Sequence, residues 1–203
     1  MTKPKSSINI PNVIEKDGTS DRTYDIYSRL LKDRIIFLSG ELDEELGSAI
    51  VAQLLFLDKS DPNAEISFYI MSNGGGVFPA LAIYDTMKHI SCPIATYCIG
   101  YAFSAGAFIL SSGTLGRRFA LPSSRIMIHQ PWHGGSGGGG AEDIQIEADQ
   151  AGITKHLILK YLSENTKRPI TELEKICQRD KYFVASEAKE FGLIDKVVSR
   201  KKH

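Results

Sequence analysis

The chain alternates short apolar runs with longer stretches in which apolar residues recur every three or four positions. Short apolar runs indicate strands, whereas the longer spacing indicates helices that bury one face. Strands are predicted near residues 34–38, 66–71, 94–99, 117–120, 125–129 and 193–198. Helices are predicted near residues 43–58, 78–90, 104–113, 142–164, 171–178 and 185–191. This alternation favours an α/β fold.

Local signals refine these helices. The helical spacing of Leu46, Ile50, Leu54 and Leu57 predicts a face that packs into the core. The sequence TELE at residues 171–174 is typical of a capping box, in which a threonine side chain caps the start of a helix. Gly192 follows the last predicted helix and is expected to end it, because glycine adopts the left-handed conformation of helix C-termini.

A glycine cluster, SNGGGVFPA at residues 72–80, follows an alternating strand and opens a helical run with Pro79 near its first turn. Backbone N–H groups at such a position can bind an anion. The cluster has neither the GxGxxG spacing nor a following Gly-Lys-Ser/Thr, so both common nucleotide-binding motifs are excluded. An oxyanion hole is the better interpretation, since glycine lets a carbonyl oxygen approach the backbone closely.

Ser104 lies in GYAFSAGAF, between an apolar run and a stretch of small residues, and His129 follows downstream in RIMIHQP. A serine hydroxyl becomes a good nucleophile only beside a base, and imidazole suits that task at neutral pH. Each residue also has an ordinary structural interpretation, the serine as a turn or helix cap and the histidine as a core residue. Together with the glycine cluster, the pair favours a serine hydrolase.

Several longer segments resemble the ClpP family, the proteolytic subunits of Clp proteases. They are GYAFSAGA around Ser104, SNGGG at 72–76, MIHQP around His129, RDKYFVASEAKEFGLID at 179–195, DIYSRLLKDRIIFLSGEL at 25–42 and AQLLFLD at 52–58. The resemblance covers residues 10–198 and implies the ClpP/crotonase fold of repeated βαβ units. It also implies an N-terminal axial-loop segment at 1–24, a single protease domain at 25–198, a protruding handle of strand plus long helix near 133–165, and a basic tail at 199–203.

The resemblance also implies roles for individual residues. Ser104 matches the nucleophile, His129 the general base that later protonates the leaving amine, and Asp180 the residue that orients the imidazole. The backbone N–H groups of Gly75 and Ala105 match the oxyanion hole. From the residues alone, four other aspartates remain candidates for the third role: Asp85, Asp143, Asp149 and Asp195.

Composition excludes several classes of partner. The chain of 203 residues fits one domain, and its 24 basic residues balance its 24 acidic ones, so no nucleic-acid partner is expected. Cys92, Cys98 and Cys177 are not clustered as metal ligands and are expected to be free thiols in a reducing cytoplasm. The sequence has no secretory h-region and no apolar run long enough to span a membrane, which predicts a soluble, cytoplasmic protein with no membrane partner.

The chain departs from the common family pattern at a few positions. Asn73 stands in place of a usual proline, Tyr101 and Phe103 are unusually bulky, and Ala105 replaces a common methionine. These changes leave the three triad residues in place and bear on the first specificity pocket and the rigidity of the oxyanion loop. The segment HGGSGGGG at 133–140 is longer than the pattern and rich in glycine, which predicts a mobile handle strand.

The resemblance implies a serine endopeptidase that assembles as a homo-oligomer of two stacked seven-membered rings enclosing the active sites. The expected partner is a hexameric AAA+ unfoldase of the ClpX, ClpA or ClpC type, which uses ATP and delivers unfolded polypeptides; the chain itself needs no cofactor and no metal. One alternative is a weakly active structural ring subunit whose ClpP paralogue cuts. Another is an acyl-CoA-binding crotonase enzyme, which shares the fold but does not require a triad.

Gln178 and Arg179 are the candidates for contact between the rings. In the family, the position of Gln178 is commonly acidic and forms charge pairs across the ring interface together with the adjacent arginine. An uncharged amide leaves at most a neutral hydrogen bond, roughly half as strong as a charge-assisted one. A weaker double ring is therefore expected, unless a nearby acid pairs with Arg179: Glu142, Asp143 or Glu147.

Overall fold

The structure is a computed structural model that describes residues 9–17, 20–131 and 140–198. Its first described elements are an antiparallel hairpin of β1 (Asn12–Asp17) and β2 (Ser20–Asp25), followed by helix α1 (Ile26–Lys32). The carboxylate of Asp25 caps α1 by accepting two backbone hydrogen bonds of 3.0 Å. The hydrophobic pattern predicts none of these three elements, because polar residues dominate both strands and α1 buries no residue completely.

Most of the remaining described residues belong to, or pack around, a sheet that has seven strands in this part of the chain. Its strands are β3 (Ile35–Leu42), β4 (Ile66–Gly75), β5 (Ile94–Phe103), β6 (Arg118–Ala120), β7 (Arg125–Ile128), β8 (Lys181–Val184) and β9 (Lys196–Val197). The order is β3-β4-β5-β6-β9, with β7 pairing both β5 and β8, and every pairing is parallel except β7 with β8. The predicted strand at 193–198 shortens to two residues, and β8 was not among the predicted strands.

Along one of its edges, strand β5 pairs with two different strands. Residues 96–98 pair with β6, whereas residues 101–103 pair with β7. Gly100, in the left-handed region with φ of +81°, lies between the two segments. This change of partner brings β7 beside the carboxyl end of β5, where Ser104 follows.

Six further helices are described around the sheet. They are α2 (Glu44–Ser60), α3 (Val77–His89), α4 (Ala105–Ser111), α5 (Ala141–Thr166), α6 (Ile170–Ile176) and α7 (Ala185–Phe191), and each lies within a few residues of a predicted helix. The predicted core face of α2 is confirmed, since Ile50, Leu54 and Leu57 are buried and Leu46 packs against the core. The mixed α/β architecture is the one predicted.

The two predicted helix ends have different outcomes. The capping box at 171–174 is wrong: α6 already begins at Ile170, after Pro169, and has no side-chain cap. Proline favours the start of a helix, so Thr171 lies inside the first turn and cannot cap it. Gly192 does end α7, with φ of +95° and its N–H donating to the carbonyls of Ala188 and Lys189.

A row of aromatic rings crosses the sheet on the face opposite the buried side chains of β3 and β4. Phe37, Tyr69, Tyr97 and Phe119 stack from strand to strand, with ring centroids 4.8–5.6 Å apart. Tyr101 and Phe103 continue the same face of β5, because side chains alternate along a strand.

Helix α5 has two different halves. Its first ten residues, 141–150, are all exposed, whereas Thr154, Ile158, Leu159, Leu162 and Thr166 are buried farther along. The predicted mobile strand of the handle at 133–139 lies outside the described residues, as do residues 1–8 of the axial-loop segment and the basic tail. None of the described helices is both long and apolar enough to cross a membrane.

Candidate active site

Ser104 occupies the corner between β5 and α4 in a strained backbone conformation. Its φ of 54° and ψ of −121° are rare for a residue with a side chain and cost about 1–3 kcal/mol. Two backbone hydrogen bonds hold it there: its N–H donates to Met127 at 2.8 Å, and its carbonyl accepts from Phe108 at 3.0 Å. Ser104 occupies the N-cap position of α4, but its hydroxyl makes no cap bond to the helix, so capping does not account for the side chain.

His129 follows β7 directly and reaches the serine. Its Nε2 lies 2.8 Å from the Oγ of Ser104. The register explains the meeting, because Phe103 pairs with Met127 and both chains then continue in the same direction. A serine hydroxyl at this distance can donate its proton to the imidazole.

Asp180 stands on the other side of the imidazole. Its Oδ1 lies 3.2 Å from Nδ1 of His129. Strand β8 runs antiparallel to β7 with Lys181 opposite Ile128, so the residue before β8 faces the residue after β7. The three side chains form one continuous line from Asp180 through His129 to Ser104.

The other four candidate aspartates have other surroundings. Asp195 pairs with Arg118, and Asp85 is exposed on α3. Asp143 accepts the N–H of Gly140 just before α5, and Asp149 accepts the side-chain amide of Gln145 one helical turn away. The structure therefore brings Asp180 to the histidine. Sequence reasoning alone left this choice open because it depends on the pairing of β7 with a distant strand.

The glycine cluster packs directly against Ser104. It forms the end of β4 rather than a loop after it, and Leu42 of β3 pairs with Gly75. A Cβ on Gly74 would lie 2.7 Å from the Cβ of Ser104, and one on Gly75 would lie 2.2 Å from the carbonyl oxygen of Leu42. With φ of +93° and +148°, neither position accommodates a side chain.

Ser72 fixes this glycine backbone. Its fully buried hydroxyl donates to the carbonyl of Gly40 and accepts the N–H of Gly74 at 3.0 Å. Asn73, which stands in place of the family's usual proline, is exposed at the same strand end. Sequence reasoning missed Ser72, although its position beside a glycine cluster at a strand end was the available signal.

The two predicted oxyanion donors flank the serine. Ala105 is the first residue of α4, where an N–H group has no acceptor within the helix. Gly75 and Ala105 both line the pocket into which Ser104 opens. Both predicted donors therefore lie in the wall of the pocket that contains the serine.

This pocket is largely apolar. Besides Ser104 and His129 it is lined by Gly75, Val77, Ala80, Ala105, Phe108, Ile128, Pro131, Ile158 and Leu162. Tyr101 and Phe103 do not line it, because they lie on the other face of the sheet. Of the three departures near the nucleophile, Ala105 is therefore the one that changes the pocket wall.

Gln178 and Arg179 are exposed beside Asp180. Among the described residues, no ion pair includes Arg179. The carboxylate of Asp143 instead accepts the N–H of Gly140 at the start of α5. Both side chains are thus accessible on the single chain for the predicted contact between rings.

The three cysteines are free and buried. Burial raises the pKa of the Cys98 and Cys177 thiols to about 11. A thiol with such a pKa is almost entirely protonated at neutral pH and is a poor nucleophile. Within the described residues, no group of three or more His, Cys, Asp or Glu side chains is arranged to hold a metal ion.

The chain was also compared with known families. A family model described as Clp protease matches residues 17–201 of the 203 residues. The match includes β3 to β9 and every residue of the site described above. The chain belongs to the Clp protease family.

Proposed function

We propose that the chain is the proteolytic subunit of an ATP-dependent Clp protease and that it cleaves peptide bonds with Ser104 as the nucleophile. The observation that carries this proposal is the line of contacts from Asp180 to His129 at 3.2 Å and from His129 to Ser104 at 2.8 Å. Membership of the Clp protease family supports a peptidase activity independently.

In the proposed acylation step, His129 accepts the hydroxyl proton while the oxygen of Ser104 attacks the carbonyl carbon of the peptide. Asp180 keeps the imidazole oriented and stabilises its protonated form. The backbone N–H groups of Gly75 and Ala105 stabilise the negative oxygen of the tetrahedral intermediate, where a single donor contributes about 3 kcal/mol. His129 then gives its proton to the departing amine, and the peptide fragment stays as an ester on Ser104.

Deacylation repeats the sequence with water. His129 takes a proton from the water as it attacks the ester, and the tetrahedral intermediate expels Ser104, which regains its proton. The apolar pocket beside the serine suits the side chain on the N-terminal side of the cleaved bond. We therefore expect faster cleavage after apolar residues than after charged ones.

The proposed assembly is two stacked seven-membered rings that work with a AAA+ unfoldase of the ClpX, ClpA or ClpC type in the cytoplasm. The absence of both nucleotide-binding motifs from the sequence supports a division of labour in which the partner hydrolyses ATP. Free buried thiols support a reducing compartment.

A Ser104→Ala substitution tests the chemistry. Alanine fits the small-residue corner, so folding and assembly should persist while hydrolysis of a short fluorogenic peptide falls below a few per cent of wild type. The alanine variant also controls for contaminating peptidases. Retention of wild-type hydrolysis by the purified variant would contradict the proposed nucleophile.

A comparison of substrates tests the enclosed chamber. The chain alone should cleave short unstructured peptides, whereas a stably folded protein should survive until an unfoldase and ATP are added. The same protein permanently unfolded by chemical modification is the matched control. Efficient digestion of the folded protein without ATP would contradict the chamber.

A further inference from the structure

Three neighbouring strands carry the proposed triad, and a single row of side chains crosses them just behind it. In the sheet register, Phe103 of β5 pairs with Met127 of β7, and Met127 pairs with Tyr182 of β8. Ser104 is one residue beyond this row on its strand, and His129 is two residues beyond it on the next. Because β8 is antiparallel, Asp180 is also two residues beyond the row on the same side.

The outer members of the row touch each other. The rings of Phe103 and Tyr182 meet edge to face, with centroids 5.6 Å apart and planes at 83°. Tyr101 supports Phe103 from the same face of β5 at 5.3 Å. Met127 lies between them in the register, and its side chain is buried. The Phe103 ring therefore links the strand of Ser104 directly to the strand of Asp180.

Strand β8 depends on such a link. Within the described residues its ladder partner is β7 alone, through four residue pairs, and Asp180 stands before the first pair with a side chain 53% exposed. On one face, Phe183 anchors β8 by packing against Phe191 of α7 at 4.8 Å. On the opposite face, the described ring contact is that of Tyr182 with Phe103.

We propose that Phe103 and Tyr182 are positioning residues that hold Asp180 against His129. This inference rests on the proposed function, since it concerns the same triad. Neither ring lines the pocket beside Ser104, so neither is expected to contact the side chain held there. The contact acts on kcat through the orientation of the Asp180 carboxylate, and a carboxylate displaced by about 1 Å is enough to slow catalysis severely.

The test measures kcat and KM for a short fluorogenic peptide with an apolar residue before the cleaved bond. Tyr182→Ala and Phe103→Leu should each lower kcat about tenfold with KM within about twofold of wild type. Tyr182→Phe keeps the ring and should restore kcat to within about twofold. Leu115→Ala, which removes an exposed apolar side chain from another part of the surface, is the control for a general effect of such truncation.

A double substitution separates positioning from structural damage. If Tyr182 acts through Asp180, Tyr182→Ala should lower kcat no further in an Asp180→Asn background, because residues that act as a unit do not lose activity additively. An undiminished tenfold loss in that background, or wild-type kcat in Tyr182→Ala, would overturn the proposal. If Tyr182→Ala does not assemble, as judged by sedimentation, the same comparison is made with Phe103→Leu. Its effect on kcat in the wild-type protein and in Asp180→Asn then decides the question. Wild-type protein no more active than Ser104→Ala would instead refute the proposed function itself.

Discussion

At the scale of single residues, the buried Ser72 is expected to influence catalysis from outside the triad. Its hydroxyl joins two neighbouring strands: it donates to the carbonyl of Gly40 in β3 and accepts the N–H of Gly74 in β4, beside the nucleophile. Gly74 lies so close to Ser104 that a Cβ on it would be 2.7 Å from the Cβ of the serine, and Gly75 follows it as a proposed oxyanion donor. The position of that donor thus depends on a buried side chain that takes no part in the reaction.

Ser72→Ala should therefore lower kcat about tenfold, a fraction of the loss that follows removal of an oxyanion donor altogether. It also leaves the N–H of Gly74 and the carbonyl of Gly40 without this partner, which costs about 1–3 kcal/mol of stability. Ser124→Ala is the matched control, since Ser124 is equally buried and donates to the carbonyl of Cys98 at 2.9 Å. Steady-state kinetics and thermal unfolding of the two variants should show similar destabilisation but a kcat defect only at Ser72. Equal kcat values would contradict the role of Ser72.

The sequence predicts residues of the site to different degrees. Ser104 and His129 follow from local pattern, because each stands where an apolar run ends and a change of element begins. Asp180 does not, since its approach to His129 depends on the antiparallel pairing of β8 with β7, about 50 residues away along the chain. The assignment of Asp180 rests on resemblance in the sequence and on contact geometry in the structure.

At the scale of elements, one buried arginine joins β6 to the ends of three helices. Arg118 is 4% exposed, and its guanidinium donates to the carboxylate of Asp195 and to the carbonyls of Ser111, Asn165 and Gly192. Burial alone would raise the pKa of Asp195, but the hydrogen bonds and charge of Arg118 outweigh burial and lower that pKa below its usual value. The pair therefore stabilises the fold in its charged form.

Asp195→Asn should lower the free energy of unfolding by about 3 kcal/mol at neutral pH, because it leaves the arginine buried without its counter-charge. Since the folded-state pKa of Asp195 is lowered, the contribution of its charge is complete above about pH 4, the usual aspartate pKa, and decreases as the pH falls through the folded-state pKa. The difference in the free energy of unfolding between wild type and Asp195→Asn should therefore become smaller over that acidic range. Thermal unfolding as a function of pH measures it.

Glu172→Gln is the matched control for this prediction. Glu172 pairs with Arg168 one helical turn away, and both side chains are about one-third exposed. Its substitution should cost less than about 1 kcal/mol. A loss at Asp195 no larger than the loss at Glu172 would contradict the structural role assigned to Arg118.

The elements predicted from sequence are those with a strong hydrophobic period. Helix α2 has four core positions at helical spacing, and β3 to β5 are apolar enough to be recognised alone. The hydrophobic pattern does not predict strand β8, because only Phe183 among its four residues is buried. The β1–β2 hairpin and α1 are not predicted for a similar reason. They contact each other, and α1 contacts β3, but none of the three elements has a continuous buried apolar face.

At the scale of the whole molecule, Gln178 and Arg179 bear on the proposed contact between rings. Both are exposed in the single chain, and no ion pair among the described residues occupies Arg179. Their position next to Asp180 means that a contact made by these side chains would act within two residues of the triad. A neutral amide at Gln178 makes that contact weaker than a carboxylate would.

Gln178→Glu should therefore increase both the fraction of double rings in sedimentation experiments and the peptidase activity per subunit. Asn63→Asp, which adds the same charge at another exposed position, is the control. The contrary result is a wild-type protein that is already fully fourteen-membered and active, with neither property changed by Gln178→Glu. That result would show that the amide of Gln178 does not weaken the double ring and that another acid pairs with Arg179.

The central claim is that Ser104 is an activated nucleophile, and a serine-directed fluorophosphonate probe tests it most directly. Mass spectrometry of the wild-type protein should locate one adduct per subunit, on Ser104, and labelling should vanish in Ser104→Ala. In His129→Ala the rate of labelling should fall at least about 100-fold, because the hydroxyl loses the base 2.8 Å away. Absence of an adduct from correctly assembled wild-type protein, or an adduct on another residue, would contradict the account and favour a structural ring subunit.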